Sequence, residues 1–169
     1  MQKITGYSLD NFPLNLRDIV DLIYFDGPLL TLFENEYGDS YLYYWCDIDD
    51  QCNRWLVFRI TKKTLRFYIT QKLTLRELIL NPVDGFLYSI ELDDDLQYRQ
   101  TYLIQPQNLP QKYIPALDSY YDFSKLDSED TEAKGLVLEK IWTEKQELSH
   151  LLIKLFDKHP TKIGEPSFA

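Results

Sequence analysis

Acidic and amide side chains alternate along residues 47–53 as the ligands of a calcium-binding loop do. A calcium loop also requires glycine at its sixth position, for a sharp turn, and glutamate at its twelfth, which binds the ion through both oxygens. This chain has Cys52 and Phe58 at those positions. We therefore interpret residues 49–53 as a polar hairpin turn.

A second acidic run, Asp93–Asp95, predicts another hairpin turn. Carboxylates from separate segments could still hold a divalent ion that activates water, so a metal-dependent hydrolase is one alternative for the function. The chain contains no metal-binding motif, and we expect no metal and no other cofactor. The candidate ligands for this alternative are Asp47, Asp49, Asp84 and Asp93.

Nucleophilic catalysis by cysteine or serine needs a base beside the nucleophile. The two cysteines, Cys46 and Cys52, lie far along the chain from the two histidines, His150 and His159. This spacing matches no zinc site, and we expect no cysteine–histidine or serine–histidine centre. In a cytoplasmic protein both cysteines should be reduced thiols.

The basic residues are concentrated in one segment. Residues 61–82 carry five basic residues and one acidic residue, whereas the whole chain has a net charge of −9. Such a segment is either a solvated helix face or a site for an anionic small ligand, and the second reading makes a ligand-sensing domain another alternative for the function. The candidate ligand-binding residues are Lys62, Lys63, Arg66, Lys72 and Arg76.

Aromatic residues dominate two consecutive predicted strands. Tyr41, Tyr43 and Trp45 share one face of the first strand, and Trp55 lies on a face of the second. Single-stranded bases stack on such sheets when lysine and arginine surround the rings, but most charged neighbours here are aspartates. Nucleic acid is therefore not an expected partner. We interpret the four residues as part of the core and as an interaction patch for protein.

The first element with a clear period follows Asn15, which can cap a helix. Proline at position 28 disfavours helix at the residue before it, so the helix should end near Phe25. The apolar residues that recur with helical spacing are Leu16, Ile19, Val20 and Ile23.

Alternating apolar residues then predict antiparallel strands joined by short turns. A basic helix and a second helix, which begins with a capping box from Thr74 to Glu77, separate the first three strands from the last two. If Leu92 faces Tyr98, the last strand buries Tyr102 and Ile104 beside Leu92. The predicted strands are Leu29–Phe33, Ser40–Ile48, Arg54–Ile60, Gly85–Leu92 and Tyr98–Ile104.

Six short motifs are spread through the chain: FDGPLL at 25–30, DSYL at 39–42, RWLVFR at 54–59, LTLREL at 73–78, DGFLY at 84–88 and DSYY at 118–121. Together they resemble an uncharacterised bacterial domain family, a domain of unknown function, over residues 14–123. The resemblance implies a bacterial source and a domain end near residue 123. It implies no activity, cofactor or catalytic residue.

The expected fold is α+β, with an antiparallel sheet of about five strands. A three-strand meander, a helical pair and a two-strand hairpin should lie between an N-terminal helix and a C-terminal helix. Residues 1–123 should form a single domain. Residues 124–169 should form an acidic linker and a helical tail, opened by a capping box at Thr143, that packs on the domain or on a partner.

Charge and hydropathy limit the function classes that remain. The chain has no run of about 18 apolar residues and no signal peptide, which predicts a cytoplasmic protein without a membrane partner. A net charge of −9 repels nucleic acid and attracts basic proteins. We therefore expect a non-catalytic protein-interaction module, similar in role to an antitoxin, an immunity protein or an accessory protein, that binds a basic partner or associates with itself.

Overall fold

The computed structural model describes residues 1–122, which form one antiparallel sheet with two short helices. None of these helices is long and apolar enough to span a membrane. Two 3-10 turns, Pro106–Asn108 and Gln111–Tyr113, follow the last strand. The strands and helices are β1 Tyr7–Leu9, β2 Leu16–Tyr24, β3 Pro28–Asn35, β4 Ser40–Ile48, β5 Cys52–Ile60, α1 Lys62–Ile69, α2 Leu75–Leu80, β6 Leu87–Asp93 and β7 Tyr98–Ile104.

The predicted architecture of five strands between two terminal helices is wrong, because the described residues form a seven-stranded sheet in the order β1-β7-β6-β5-β4-β3-β2. The segment after Asn15 is β2 and not a helix. Its β-branched residues favour a strand, and three register shifts against β3 disturb the alternation so that the apolar spacing imitates a helix. The short strand β1 was not predicted. The predicted C-terminal helix from Thr143 lies outside the described residues.

The central strands and the helical pair lie where the sequence predicts them. β4 and β7 have the predicted bounds, and Thr74 caps α2 through the predicted capping box with Glu77. Leu92 faces Tyr98 as expected. A register shift next to Leu92 then places Thr101 opposite Ile90, so Tyr102 and Ile104 lie on the other face from the one predicted.

The sheet must be curved, because its two edge strands are consecutive in the sequence. Seven flat strands would place the edges about 29 Å apart, whereas the chain from Leu9 to Leu16 spans roughly 25 Å at most. Residues 10–15 therefore cross one face of the sheet. On that face Phe12 contacts the rings of Tyr43 and Tyr88 edge-on, with centroids 6.3 and 5.5 Å apart.

The two faces of the sheet bury different side chains. We call the face crossed by residues 10–15 the aromatic face, and its buried centre is Tyr41, Val57 and Ile90. The opposite face, the helical face, carries Tyr44 and lies near Tyr68 of α1. Strand residues buried on this face, each at most 1% exposed, include Leu30, Leu32, Leu42, Leu56 and Phe58.

Candidate functional site

The two acidic turns lie side by side at one end of the sheet. Cys52 pairs with Asp93 across β5 and β6, which brings the turn after β4 next to the turn after β6. A groove of about 430 Å³ lies there, lined by Gln51, Cys52, Asp93, Asp94, Asp95 and Arg99. We name this region the acidic end, and its carboxylates are Asp49, Asp50, Asp93, Asp94 and Asp95.

In each acidic turn the first carboxylate, that of Asp49 or Asp93, accepts backbone hydrogen bonds that stabilise the turn. Asp49 Oδ1 accepts two backbone N–H groups at 2.9 Å, and Asp93 Oδ1 accepts two at 2.8 and 3.0 Å. These bonds, led by the N–H of Gln51 for Asp49 and that of Gln97 for Asp93, hold the pKa of both carboxyls below its ordinary value. Both residues therefore stabilise the hairpins that present the rest of the acidic end.

The other three carboxylates face water. Asp50, Asp94 and Asp95 are exposed, and their side chains form no hydrogen bond or ion pair within residues 1–122. The guanidinium of Arg99 binds Asp93 instead, at 2.8 Å. The acidic end therefore keeps three uncompensated negative charges close together, which creates an attractive potential for cations.

An apolar row runs across the aromatic face beside the acidic end. Ile48 is opposite Asn53, Asn53 is opposite Leu92, and Leu92 is opposite Tyr98. Ile48 is 53% exposed and Tyr98 is 40% exposed. We call Ile48, Leu92 and Tyr98 the apolar row. Its position puts accessible apolar surface directly beside uncompensated carboxylates.

Leu96 combines an unfavourable backbone conformation with an exposed apolar side chain. Its φ of 58° lies in the left-handed region, where glycine or asparagine is favoured over a bulky side chain. Its side chain is also 67% exposed, in the turn between Asp95 and Tyr98. Hydrophobic burial therefore does not offset the backbone strain at this position.

The predicted aromatic patch divides between the core and the surface. Tyr41 is buried, and Tyr43 is half-buried, with its ring 4.3 Å from that of Phe33. Burial raises the pKa of Tyr43 far above its usual value. Trp45 and Trp55 face each other across β4 and β5, half-buried, next to the apolar row. Of the four residues, Tyr41 therefore belongs to the core, and Tyr43, Trp45 and Trp55 are partly accessible.

A buried ion network lies on the helical face at the same end of the sheet. Arg54 is 4% exposed and donates to Glu91, to the backbone oxygen of Gln2 and to the hydroxyl of Tyr113 at 2.6 Å. The Tyr113 hydroxyl in turn donates to Asp47 at 2.6 Å. The network joins β5, β6, the N-terminal segment and the second 3-10 turn, so it fixes the base of the hairpin that carries Asp49 and Asp50.

Sequence reasoning missed this network, although one signal was available. Arg54 alternates with the buried residues Leu56 and Phe58, which places it on the buried side of β5. Its ladder partner is Glu91. Tyr113 carries no comparable signal, because its position depends on the turns that follow β7.

Asp47 is the acceptor at the centre of this network. Its Oδ2 atom accepts from Tyr113, from Lys112 at 2.8 Å and from the N–H of Gln2 at 3.0 Å. Burial opposes ionisation, but these hydrogen bonds outweigh it and hold the pKa of Asp47 well below its ordinary value. The carboxylate is therefore occupied by protein donors.

We expect Asp47→Asn to destabilise the fold by about 1–3 kcal/mol at neutral pH, because it weakens buried hydrogen bonds to a charged acceptor. The folded pKa of Asp47 lies below the ordinary 3.8, so its stabilisation is present above that pH and is lost as the pH falls below it. In urea unfolding, the gap between wild type and variant should narrow from pH 7 to pH 3. Asp18→Asn, at an exposed position, is the control, and a pH-independent gap would contradict the assignment.

The predicted basic residues separate into two groups. Lys63 Nζ, Arg66 Cζ and Lys72 Nζ lie 5.6, 5.6 and 5.7 Å from the centroid of the Phe67 ring. Arg76 instead donates to the backbone oxygen of Pro115 at 2.9 Å. Phe67 was not predicted as part of this site, although it lies one residue after Arg66.

The first turn of α2, the other part of the predicted anion site, is already satisfied by protein. The backbone oxygen of Ser119 accepts from the N–H of Leu75 at 2.8 Å, and its hydroxyl accepts from the N–H of Arg76 at 3.1 Å. Lys62 lies at the start of α1. The structure thus gathers cations at α1 and not at α2.

The candidate metal ligands are engaged in separate contacts. Asp47 belongs to the ion network, and Asp49 and Asp93 build their turns. Asp84 binds Arg59 at 3.2 Å, and Arg59 also binds Asp39 at 2.7 Å, at the opposite end of the sheet. In residues 1–122 no three histidine, cysteine or acidic side chains converge as a metal site would require.

Both cysteines are free thiols. Burial raises the pKa of Cys46 to about 12, and its Sγ lies 3.5 Å from the backbone oxygen of Arg54. Burial also raises the pKa of Cys52. Neither environment favours a thiolate nucleophile. The two histidines, His150 and His159, lie outside the described residues.

Comparison with known proteins gives a family and no activity. No curated protein and no solved structure matches the chain. A model described as a family of unknown function, DUF6575, matches residues 14–153, which include every strand from β2 to β7 and both helices. The resemblance to a domain of unknown function is thereby confirmed, over a longer stretch than the sequence motifs indicated. The chain belongs to this family of unknown function, DUF6575.

Proposed function

We propose that this protein is a non-catalytic interaction module that binds a basic protein partner through the acidic end, the apolar row and Leu96. The observation that carries the proposal is Leu96, which is 67% exposed at a φ of 58°. Neither feature favours stability. A residue that breaks local preferences without a compensating contact is often retained for a function.

The chemistry of this end specifies the kind of partner. Asp50, Asp94 and Asp95 would attract lysine and arginine and orient them during encounter. Leu96 and Tyr98 would supply apolar contact area once the partner is bound. The matching surface therefore carries cations around an apolar or aromatic side chain. A surface made only of cations would leave the apolar residues in water.

Selection of random peptides displayed on phage against the folded protein tests this proposal. We expect the selected peptides to combine lysine or arginine with aliphatic or aromatic residues, and their affinity to fall as salt is raised. Removal of three carboxylates should weaken binding by about tenfold in fluorescence polarisation, with a smaller salt dependence. The variant is Asp50→Asn with Asp94→Asn and Asp95→Asn.

A control with the same change in net charge distinguishes a local site from general attraction. Asp10, Asp18 and Asp118 are exposed and lie outside the acidic end. Their replacement by asparagine should change peptide affinity by less than about twofold. Equal losses in both triple variants, or selection of acidic peptides, would overturn the proposal.

Leu96→Asn separates binding from folding. Asparagine adopts the left-handed backbone more readily than leucine, so the free energy of unfolding should stay constant or rise slightly. Peptide affinity should nevertheless fall by about tenfold, because an exposed apolar anchor is lost. Urea denaturation and fluorescence polarisation measure the two effects. Unchanged peptide affinity in this variant would contradict the role of Leu96.

A further inference from the structure

We propose that α1 carries a second, independent site, which binds the phosphoryl groups of a small free ligand, such as a nucleotide or a polyphosphate, between Lys63, Arg66 and Lys72. Phe67 is a positioning residue in this site, because its ring gathers the three cations. The site does not depend on the protein partner proposed above. It begins where β5 ends, whereas the acidic end lies at the start of β5.

The arrangement of the cations around one ring is the first observation. All three charged groups lie within 5.7 Å of the Phe67 centroid, so no two of them are more than about 11.3 Å apart. Like charges at such distances repel each other. The attraction of each cation to the ring offsets part of that repulsion. A multiply charged anion would relieve the repulsion between Lys63 and Lys72.

The position of the lysines on α1 is the second, independent observation. The first turn of α1 contains no acidic residue and holds Lys62 and Lys63. Cations are unfavourable there, because the N-terminal end of a helix carries a partial positive charge. The two lysines therefore reduce the stability of a helix that packs Leu65, Tyr68 and Ile69 into the core. A phosphate bound there would be attracted both by the lysines and by the N-terminal end of the helix, so the positive charge would then favour the bound state.

The carboxylate of Glu77 does not neutralise the lysines of the site. Glu77 is the one acidic residue of the segment 61–82, and its side chain accepts from the backbone N–H and the hydroxyl of Thr74 in the capping box of α2. Lys62, Lys63 and Lys72 form no ion pair within residues 1–122. Several cations without a carboxylate partner fit a phosphate chain better than a single carboxylate ligand.

Titration calorimetry with inorganic tripolyphosphate, at constant ionic strength, tests the site. We expect saturable binding to the full-length protein with one equivalent. Lys63→Gln with Lys72→Gln should weaken it by about tenfold or more. The control is Lys3→Gln with Arg17→Gln, which removes the same charge from two exposed positions and should change affinity by less than about twofold.

Substitutions of Phe67 test its positioning role. Phe67→Leu keeps an apolar side chain but removes the aromatic face, so tripolyphosphate affinity should fall about threefold. Phe67→Tyr keeps the ring and should restore affinity. Thermal unfolding without ligand shows whether the fold is intact in each variant. Equal affinity of the leucine and tyrosine variants would remove Phe67 from the site.

Two further ligands identify the source of the phosphoryl groups. ATP that binds as tightly as tripolyphosphate, or more tightly, would support a free phosphorylated ligand. Vesicles of phosphatidylcholine with phosphatidylglycerol provide the membrane alternative. Binding to these vesicles without binding to tripolyphosphate would overturn the proposal. The absence of saturable tripolyphosphate binding, or equal losses in the paired variant and its control, would overturn it too.

Discussion

Arg54→Met is expected to lower the free energy of unfolding by about 3–5 kcal/mol, because it leaves buried charge without its partner. The Arg54 side chain is 5% exposed and is the cation bound by Glu91. Methionine keeps most of the side-chain volume of arginine. The decrease in the free energy of unfolding therefore measures the loss of the charge and its hydrogen bonds rather than the creation of a cavity. Urea denaturation of wild type and variant measures the difference.

Two further variants test this interpretation. Arg59→Met removes an arginine that binds two carboxylates but is 33% exposed, and it should lower the free energy of unfolding by about 1 kcal/mol or less. Arg54→Met with Glu91→Leu replaces the buried pair by apolar side chains and should recover part of the loss. If Arg54→Met lowered the free energy of unfolding no more than Arg59→Met, the buried network would not fix the base of the hairpin that carries Asp49 and Asp50.

Phe12→Ala is expected to destabilise the fold by about 3 kcal/mol. Phe12 is half-buried, and the change removes apolar contact area together with the two edge-on ring contacts to Tyr43 and Tyr88. Phe25→Ala is the matched control, because Phe25 is 78% exposed in the turn after β2, and it should change stability by less than about 0.5 kcal/mol. Similar decreases in the free energy of unfolding for Phe12→Ala and Phe25→Ala would show that the packing of residues 10–15 on the aromatic face does not stabilise the fold.

Elements set by local interactions were the ones that could be predicted. β4 and β7 are rich in aromatic and β-branched residues, which favour strands, and the capping box of α2 involves only Thr74 and Glu77. β2 was assigned to a helix because its register shifts change the apolar period, and those shifts depend on pairing with β3. A residue pattern within one strand contains no information about such pairing.

The candidate sites depended on contacts between distant segments. Both acidic turns were visible in the sequence, but their convergence follows from the pairing of Cys52 with Asp93, across the helical pair. The contact of Tyr113 with Arg54 joins residues 59 positions apart. The strain at Leu96 was invisible, because a leucine in a turn does not reveal its backbone angle.

The position of β1 has a consequence for the order of folding. Every pairing from β2 to β5, and that of β6 with β7, joins neighbours in the sequence, so little chain entropy is lost when these hairpins close. β1 instead pairs Tyr7 with Leu103, and this three-residue ladder closes most of the described chain into a loop. We expect it to form last, when Phe12 also reaches the aromatic face. The late intermediate would then be a complete meander with the side chains of its aromatic face still exposed to water, and such a species is prone to aggregate.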